Sequence, residues 1–470
     1  MNRAMLIDQI NEDFLERLKN DPDYFTSIAL NTNDSSILFI LERLGRLENK
    51  KCKEPLLSLL KNSNDNIRAL SLKNLAKLID VSLLPVFYSF ATEDESTAVR
   101  REAVSAIGRL RNEQTIPFLI ELLQDKDPKV VMQAIRGLLV FSGKPNVKIE
   151  LMKLKDHPNE LIREVINREF NSINSQTIKK QKHDEFPEIL KNVVVHGDVL
   201  DVLKYVPDES VHLTFTSPPY YNARDYSIYQ SYEEYLNFLD EVFKQVYRIT
   251  KEGRFFILNT SPIIIPRISR QHSSKRYPIP YDIHPFLVKM GWEFIDDIVW
   301  VKPEASVKNR NAGFLQHRKP LAYKPNAVTE MLMVYRKKTD KLIDWNINQY
   351  SWEKVKESKV NEDYETTNVW HIDPTFDKIH SAVFPIELCN RIIKFYSYIG
   401  DLIFDPFAGS GTVGKAAMNL KRNFFLTEKE QKYIQRIKEE LGSQNILFDY
   451  IDPPKFLSLE EFIELSGEKL

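Results

Sequence analysis

A Ser-Pro-Pro-Tyr loop follows a short apolar segment in the middle of the chain. Residues 211–215 are predicted to form a buried strand, and after Thr216 they are followed by Ser217, Pro218, Pro219 and Tyr220. Two consecutive prolines fix two φ angles and remove two N–H donors, so the loop presents rigid carbonyl acceptors beside a hydroxyl and an aromatic ring. Such a pocket suits an exocyclic amino group on a flat base. A proline-rich loop with a packed tyrosine is the alternative.

A glycine-rich turn lies nearer the end of the chain. Gly409, Gly411 and Gly414 follow a predicted strand at 401–405 and precede a predicted helix, as the G-x-G-x-x-G ligand pattern requires. Glu428 ends the next apolar segment, where a carboxylate can accept both hydroxyls of a ribose. A tight turn without a ligand is the alternative interpretation.

The position of this turn narrows the choice of cofactor. Too few residues follow Gly411 to complete a dinucleotide-binding sheet, so strands from earlier in the chain must complete it. A ribose-bearing cofactor without a pyrophosphate fits this order better, and S-adenosylmethionine is one. A nicotinamide cofactor is disfavoured by the same order.

Strands and helices alternate from residue 193 onward. Strands are predicted at 193–195, 211–215, 254–258, 298–301, 331–334 and 402–404, with helices at 199–205 and 232–248. This alternation predicts an α/β fold with a mostly parallel, doubly wound, Rossmann-like sheet. Both motifs then lie at strand ends, where ligands bind in open α/β sheets.

Together the two motifs resemble those of the amino-methyltransferases of DNA, which modify cytosine N4 or adenine N6. That family pairs a [D/N/S]-P-P-[Y/F/W] loop with a D-P-F-x-G-S-G turn, and both are complete here, the second at residues 405–411. The loop precedes the turn, as in the β-type order. The resemblance covers about residues 191–450.

The resemblance implies roles for individual residues. Ser217 and the Pro218 carbonyl would hold the target amino group, Pro219 would shape the loop, and Tyr220 would stack on the flipped base. The cofactor would contact Asp198, Pro385, Asp405, Pro406, Phe407, Gly409, Ser410, Gly411, Thr412 and Glu428. In this scheme Asp198 reaches the adenine and Glu428 the ribose, while Pro385 and the turn surround the methionine end. No residue is expected to bind a metal.

The implied reaction is direct attack of the amino nitrogen on the sulfonium methyl of S-adenosylmethionine, with the base flipped out of double-stranded DNA. Family members with serine in the loop mostly act on cytosine, so cytosine N4 is the expected target. Adenine N6 is the open alternative and RNA a weaker one. The expected setting is site-specific modification in a restriction-modification or related system, and a non-catalytic solenoid scaffold with a methyltransferase-like fold is the remote alternative. Neither Cys52 nor Cys389 follows a proline, which argues against cytosine C5 chemistry.

A basic segment between the loop and the turn is the predicted DNA surface, with target recognition at about 302–378. Its basic residues are Lys302, Lys308, Arg310, Arg318, Lys319, Lys324, Arg336, Lys337, Lys338 and Lys341, interleaved with Asn309, Asn311, Gln316 and His317. A second loop, at 266–277, carries Arg267, Arg270, His272, Lys275 and Arg276. Basic side chains would bind phosphate, and Asn, Gln or Arg could read base edges. A solvated surface is the alternative.

The first third of the chain is repetitive. The apolar residues Ile67, Val99, Val130 and Ile162 recur at nearly equal spacing. Each period predicts a helix pair that buries its apolar face by stacking on its neighbours, as in a HEAT-like α-solenoid. Such a surface could bind a protein partner or follow a duplex. Its candidate phosphate contacts are Arg68, Arg100, Arg101, Arg136 and Arg163.

The composition is that of an ordinary globular protein of several domains. The chain has 470 residues, 43% hydrophobic and 28% charged, with two cysteines and a net charge of −1. DNA binding must therefore rest on local basic patches. Without a disulfide framework, a signal peptide or a long apolar run, we expect a cytoplasmic protein and no membrane partner. The predicted domains are a solenoid at 1–170, a linker at 171–190, a methyltransferase domain at 191–450 and a C-terminal tail at 451–470.

Overall fold

The chain forms two compact units, Met1–Gln176 and Thr177–Leu470. The computed structural model describes residues 10–47, 49–170, 183–221, 229–265, 269, 271–272, 274–306, 320, 327–375, 383–442 and 453–467. Within these ranges the first unit is helical, and the second is built on a nine-stranded sheet. Among the described helices, none is both long enough and apolar enough to cross a membrane.

The first unit consists of stacked helix pairs, as the repeat predicts. Its helices are α1 (Glu12–Asn20), α2 (Pro22–Asn31), α3 (Asp34–Arg43), α4 (Lys53–Leu59), α5 (Asp65–Ala76), α6 (Leu84–Glu93), α7 (Thr97–Arg109), α8 (Ile116–Glu121), α9 (Pro128–Leu139), α10 (Pro145–Met152) and α11 (Glu160–Phe170). The repeated apolar residues Ile67, Val99, Val130 and Ile162 lie on α5, α7, α9 and α11, and all are fully buried. Several helices begin with proline, which suits the first turn because its missing N–H would be unpaired there.

Arginines tie successive repeats together. Arg68 pairs with Asp94 at 2.8 Å, and Arg100 pairs with Asp125 at 3.0 Å. Both guanidinium groups also donate to backbone carbonyls of the turn before their own helix, as does Arg163. Arg163 donates to these carbonyls from Nη1, and its phosphate contact stays a prediction, as do those of Arg101 and Arg136. The expectation is wrong for Arg68 and Arg100, whose Nε, Nη1 and Nη2 donors are used within the solenoid. Their charges stabilise the inter-repeat turns instead.

The second unit contains a mostly parallel sheet, which confirms the predicted fold class. The strands are β1 (Val193–His196), β2 (Val211–Thr216), β3 (Thr250–Thr260), β4 (Ile263–Ile265), β5 (Lys275–Tyr277), β6 (Trp292–Val301), β7 (Thr329–Lys337), β8 (Val369–His371), β9 (Leu402–Asp405), β10 (Asn423–Glu428) and β11 (Lys455–Ser458). The sheet order is β11-β1-β10-β9-β2-β3-β7-β6-β8, and β4 and β5 form a separate antiparallel pair. Among the described strands of the large sheet, β7 alone runs antiparallel to its neighbours.

Helices connect the strands. They are α12 (Val199–Leu203), α13 (Tyr232–Ile249), α14 (Ile279–Met290), α15 (Trp352–Glu357), α16 (Ile386–Tyr396), α17 (Thr412–Asn419), α18 (Gln431–Gly442) and α19 (Leu459–Ser466). Strands β2 and β9 are buried along their whole length, as is usual for parallel strands covered on both faces.

The strand order reverses between β9 and β2. The connection after β9 leads through α17 to β10 on one side, whereas the connection after β2 leads through α13 to β3 on the other. Because the two central strands are parallel, their carboxyl ends, Asp405 and Thr216, lie at the same edge. A crevice at such a reversal is the usual ligand site of an open α/β sheet.

Two predicted boundaries are wrong. Residues 451–470 were expected to form a tail, but β11 extends the sheet beside β1 and Phe462 of α19 is fully buried. Within the predicted linker at 171–190, His183 bonds to the Glu252 carbonyl at 3.0 Å and Leu190 is buried in the second unit. Both segments are short and lack a hydrophobic period, so their packing partners decide their structure. Residues 171–182 lie outside the described ranges.

Candidate active site

A cavity of about 400 Å³ lies at the point where the strand order reverses. All four residues of the Ser-Pro-Pro-Tyr loop line it. The predicted cofactor residues that line it are Asp198, Asp405, Pro406, Phe407, Gly409, Ser410, Thr412 and Glu428. Pro385 and Gly411 are outside this lining, and each occupies the N-cap of the helix that follows it. The fold therefore brings two motifs that are far apart in sequence to one cavity.

The three glycines of the turn serve different purposes. Gly409 and Gly411 have φ angles of 52° and 79°, a left-handed conformation that favours glycine. Gly414 allows close packing of α17, since a Cβ there would lie 2.8 Å from Leu426 Cδ1. A Cβ on Gly411 would meet Ile437 at 3.1 Å, so this glycine shapes the turn from beneath rather than lining the cavity.

Glu428 ends β10 with its carboxyl group fixed by backbone donors. Its Oε2 accepts from the Gly409 N–H at 2.8 Å, and its Oε1 accepts from the Glu430 N–H at 2.8 Å. Burial raises the pKa of this carboxyl to about 7, although these backbone bonds oppose the shift. Each carboxyl oxygen can accept a second hydrogen bond, so Glu428 can still receive hydroxyl donors from a ligand.

Asp405 ends β9 and joins it to β2. Its Oδ1 accepts from the Thr216 hydroxyl at 2.6 Å and from the Phe407 N–H at 3.1 Å. Burial raises the pKa of Asp405 to about 7, and the nearby charge of Glu428 adds to this rise. Among the described residues both of its hydrogen bonds end on Oδ1, which leaves Oδ2 as an acceptor for a ligand.

Asp198 lines the cavity from the N-cap of α12. It accepts from the Leu200 N–H at 3.0 Å and pairs with Lys429 at 3.1 Å. Lys429 also lines the cavity, although neither sequence motif includes it. A ligand that bonds to Asp198 would share it with this lysine.

Aromatic side chains form walls of the cavity, and most of them, unlike Phe407 and Tyr220, are absent from the predicted site residues. Phe384 stacks on Phe215 with ring centroids 4.7 Å apart, and Phe407 lies 6.1 Å from Phe238. Tyr229 and Tyr433 complete this lining. The sequence signal that could have identified these residues is the presence of apolar side chains in loops beside the two motifs. Residues 380–382, next to Phe384, lie outside the described ranges.

Tyr220 is anchored by its hydroxyl group. That hydroxyl donates to Glu330 Oε2 at 3.3 Å, and the Asn259 amide donates to the same oxygen. Lys302 forms an ion pair with the other oxygen of Glu330. Burial and the charge of Glu330 both raise the pKa of Tyr220. The predicted stacking residue thus belongs to a polar cluster that the sequence analysis missed.

The predicted DNA surface is only partly available for DNA. Lys302 pairs with Glu330, Arg336 is buried and donates to the Gly253 and Lys341 carbonyls, and Lys337 donates to the Thr250 carbonyl at 2.6 Å. The expectation that these three bind phosphate is wrong, because they stabilise the antiparallel part of the sheet. Lys338 is exposed. Lys341 is half-buried, with its ammonium 5.9 Å from the centroid of the Trp345 ring. The remaining basic and polar candidates, at 308–319 and 324, lie outside the described residues.

The second predicted basic loop connects β4 to β5. His272, Lys275 and Arg276 are exposed there, whereas Arg267 and Arg270 lie outside the described residues. Tyr277 at the end of β5 contacts Tyr221 with ring centroids 4.9 Å apart. This contact joins the hairpin to the residue that follows the Ser-Pro-Pro-Tyr loop.

Comparison with known proteins agrees with this architecture. Residues 211–439 match the model of a DNA methylase family, and residues 84–169 match HEAT repeats. The chain is 30% identical over 280 residues to the Type II methyltransferase M.ScaI of Streptomyces caespitosus, an alignment that covers 55% of this chain and 83% of M.ScaI. It is 27% identical over 275 residues to the Type II methyltransferase M.MwoI of Methanothermobacter wolfeii, covering 55% of this chain but only 36% of M.MwoI.

A solved structure, that of TTHA0409 from Thermus thermophilus, is 25% identical, with a TM-score of 0.45 over 57% of this chain and 99% of that one. From the sequence matches, the chain belongs to the N6- and N4-type DNA methylase family, with HEAT repeats in its first unit. The family expected from the two motifs is thereby confirmed.

Proposed function

We propose that this chain transfers a methyl group from S-adenosylmethionine to the exocyclic amino group of a base flipped out of double-stranded DNA, with cytosine N4 as the target. The observation that carries the proposal is the cavity lined by both the Ser-Pro-Pro-Tyr loop and the glycine turn. The setting that we propose is site-specific modification in a restriction-modification or related system.

The cavity residues fit S-adenosylmethionine. Glu428 can accept from ribose hydroxyls, Asp198 from the adenine, and Asp405 Oδ2 from a donor at the methionine end. When bound, S-adenosylmethionine supplies an electrophilic methyl group on a positively charged sulfonium. Two buried carboxyl groups with pKa values near 7 suit such a ligand, because a nearby positive charge favours their ionised form.

The loop residues can activate an amino group. The Ser217 hydroxyl and the Pro218 carbonyl accept its hydrogens, which draws the nitrogen lone pair out of conjugation with the ring. Tyr220 offers a flat aromatic face on which the base can stack. Pro219 fixes the backbone between these groups, so they are held in place before the base arrives. A base inside the duplex cannot reach this enclosed site, so the base must be flipped out.

The choice of cytosine rests on Ser217, through the family resemblance. Adenine offers the same combination of an amino group beside a ring-nitrogen acceptor, so adenine N6 is the competing target. DNA contacts are proposed for the exposed residues Lys275, Arg276 and Lys338 and for the basic segment around 308–324.

The decisive experiment incubates the full chain with methyl-labelled S-adenosylmethionine and a random-sequence duplex, followed by mass analysis of the nucleosides. N4-methylcytosine is the expected product, and N6-methyladenine would move the target to adenine. A matched RNA pool is the substrate control. Cofactor binding without label in either nucleic acid would contradict the enzymatic proposal and favour a non-catalytic scaffold.

A further inference from the structure

Glu330, Lys302 and Asn259 form a polar cluster that contacts Tyr220 of the loop, and these three residues are outside the cavity lining. Glu330, near the start of β7, is 15% exposed and contacts three side chains from separate parts of the chain. Lys302 pairs with its Oε1, while Tyr220 and Asn259 donate to its Oε2. The Lys302 ammonium also lies 4.4 Å from the centroid of the Trp300 ring. Of the three partners of Glu330, Tyr220 lines the cavity, so it connects Glu330 to the site.

The stability of the sheet does not by itself account for such a cluster. Burying a charged pair removes both groups from water, and well-packed apolar side chains often stabilise a fold equally well. Here the pair is kept in place by an additional amide donor and by the Trp300 ring. Its hydrogen bond with Tyr220 connects the cluster directly to the Ser-Pro-Pro-Tyr loop.

The carboxylate fixes the direction of the hydrogen bonds around it. A carboxylate has no hydrogen to donate, so Tyr220 must donate its own hydrogen to Glu330. The phenol oxygen then faces other groups only as an acceptor. Ser217 and Ser261 hydrogen-bond with this phenol and lower its pKa. Because the Tyr220 hydrogen is directed to Glu330, the serine must be the donor in such a bond. When the Ser217 hydroxyl donates its one hydrogen to Tyr220, only its lone pairs remain to interact with a ligand in the cavity.

We propose that Glu330 is a positioning residue that orients the Tyr220 and Ser217 hydroxyls, so that Ser217 faces the cavity as a hydrogen-bond acceptor and selects an amino group. The inference rests on the proposed function and deepens it. A base with a carbonyl oxygen in place of the amino group would bring two acceptors together and leave both unpaired, which is costly in a buried site. The cluster would thereby distinguish cytosine from uracil or thymine, and adenine from hypoxanthine.

The test compares Glu330→Gln, Tyr220→Phe and the double variant in the full chain. Glutamine keeps the shape of Glu330 but can donate as well as accept, and phenylalanine keeps the ring but removes the hydroxyl. Glu357→Gln, an exposed glutamate on α15, is the matched control. The measurements are kcat for methyl transfer to DNA at saturating S-adenosylmethionine and the Kd of S-adenosylmethionine by calorimetry.

Each single variant should lower kcat by about 10- to 100-fold, the loss that follows when a reacting group is misplaced. The Kd of the cofactor should stay within about twofold, since Glu330 is outside the cavity lining. The double variant should be no more than about twofold slower than Tyr220→Phe, because both changes act through one hydroxyl. The control should match the unmodified chain.

Full additivity in the double variant would overturn the proposal, because Glu330 would then act without Tyr220. Unchanged kcat in either single variant would overturn it as well. Should Glu330→Gln not fold, Tyr220→Phe still decides the matter, since it leaves the buried ion pair intact. An unmodified chain that transfers no methyl group at all would overturn the proposed function together with this inference, whereas an active chain with unaffected variants would overturn the inference alone.

Discussion

Asp405 and Glu428 show how single residues prepare the cavity for a cationic ligand. Both end adjacent parallel strands, both are buried, and both have a pKa raised to about 7. Burial alone would favour their neutral forms, but backbone N–H groups and the Thr216 hydroxyl already favour ionisation. The two carboxyl groups are therefore balanced between their neutral and ionised forms near neutral pH, where a bound ligand can determine their charge.

We predict that cofactor affinity rises as the pH is raised through 7. The pKa of each carboxyl is raised in the free protein and falls when donors and a positive charge bind, so binding releases protons near neutrality. At pH 6 each carboxyl is mostly protonated, which should weaken binding by about tenfold per group. Calorimetry at pH 6, 7 and 8, in buffers of different ionisation enthalpy, measures both effects.

Asp405→Asn and Glu428→Gln should each weaken cofactor binding at pH 8 and flatten its pH dependence, because each removes one titrating group. The exposed Glu353→Gln on α15 serves as the control for the loss of one negative charge. If the Kd of the unmodified chain did not change between pH 6 and 8, these two carboxyl groups would have to be removed from the cofactor site.

Tyr220→Ala should weaken methyl transfer far more than cofactor binding. Stacking of a base on an aromatic side chain contributes roughly 1–3 kcal/mol, and this contact forms only with the flipped base. Kinetics at saturating cofactor, with calorimetry of cofactor binding, separate the two steps. Tyr281→Ala, at an exposed tyrosine on α14, is the control. A variant with normal turnover and lost cofactor affinity would assign Tyr220 to another site.

At the scale of elements, the sequence predicted those strands and turns that are determined by a few neighbouring residues. The strands β2 and β9 are continuous apolar segments, and the turn before α17 needs glycine at positive φ angles. The cluster around Glu330 was missed because it joins β3, the end of β6 and β7, which meet only after the antiparallel strand has folded back. For the same reason, the sequence could not show which basic residues are free to bind DNA. Lys302 pairs with Glu330, and Arg100 pairs with Asp125 of the next repeat.

Two glycines explain the close stacking of α7 and α9. A Cβ on Gly137 would lie 2.9 Å from Leu119 Cδ1 and 3.2 Å from the Cα of Gly108, so neither helix can approach as closely with a larger residue. Glycine is a poor helix former, by about 1 kcal/mol relative to alanine. Its presence in the interior of both helices indicates that packing between repeats outweighs that preference.

Gly137→Ala should therefore destabilise the solenoid although alanine favours helices. Overpacking of a buried contact costs about 1–3 kcal/mol, more than the gain in helix propensity. Amide hydrogen exchange in peptides covering α7 and α9 should become faster. Gly143→Ala is the matched control, because a Cβ there meets nothing within 4 Å. Slower exchange in Gly137→Ala than in the unmodified chain would contradict this prediction. It would show that the two helices can move apart without a loss of stability.

At the scale of the whole molecule, chemistry and repeats belong to different units. The cavity, the two motifs and the polar cluster around Glu330 all lie in Thr177–Leu470. In the first unit, Arg68 and Arg100 use their donors on the solenoid itself. This favours a role for the solenoid in protein contacts or in general DNA affinity over a role in reading bases.

We predict that a fragment of residues 177–470 folds, binds S-adenosylmethionine with unchanged affinity and keeps the sequence preference of the full chain. The fragment retains His183 and Leu190, whose contacts with the sheet unit would be lost if the cut were placed at residue 191. Base contacts are assigned to residues of this unit, so removal of the solenoid can lower DNA affinity but should not alter the modified site. The measurement is methylation of one random-sequence duplex pool by both proteins, followed by sequencing of the modified positions. A different recognition sequence for the fragment would transfer base recognition to the repeats.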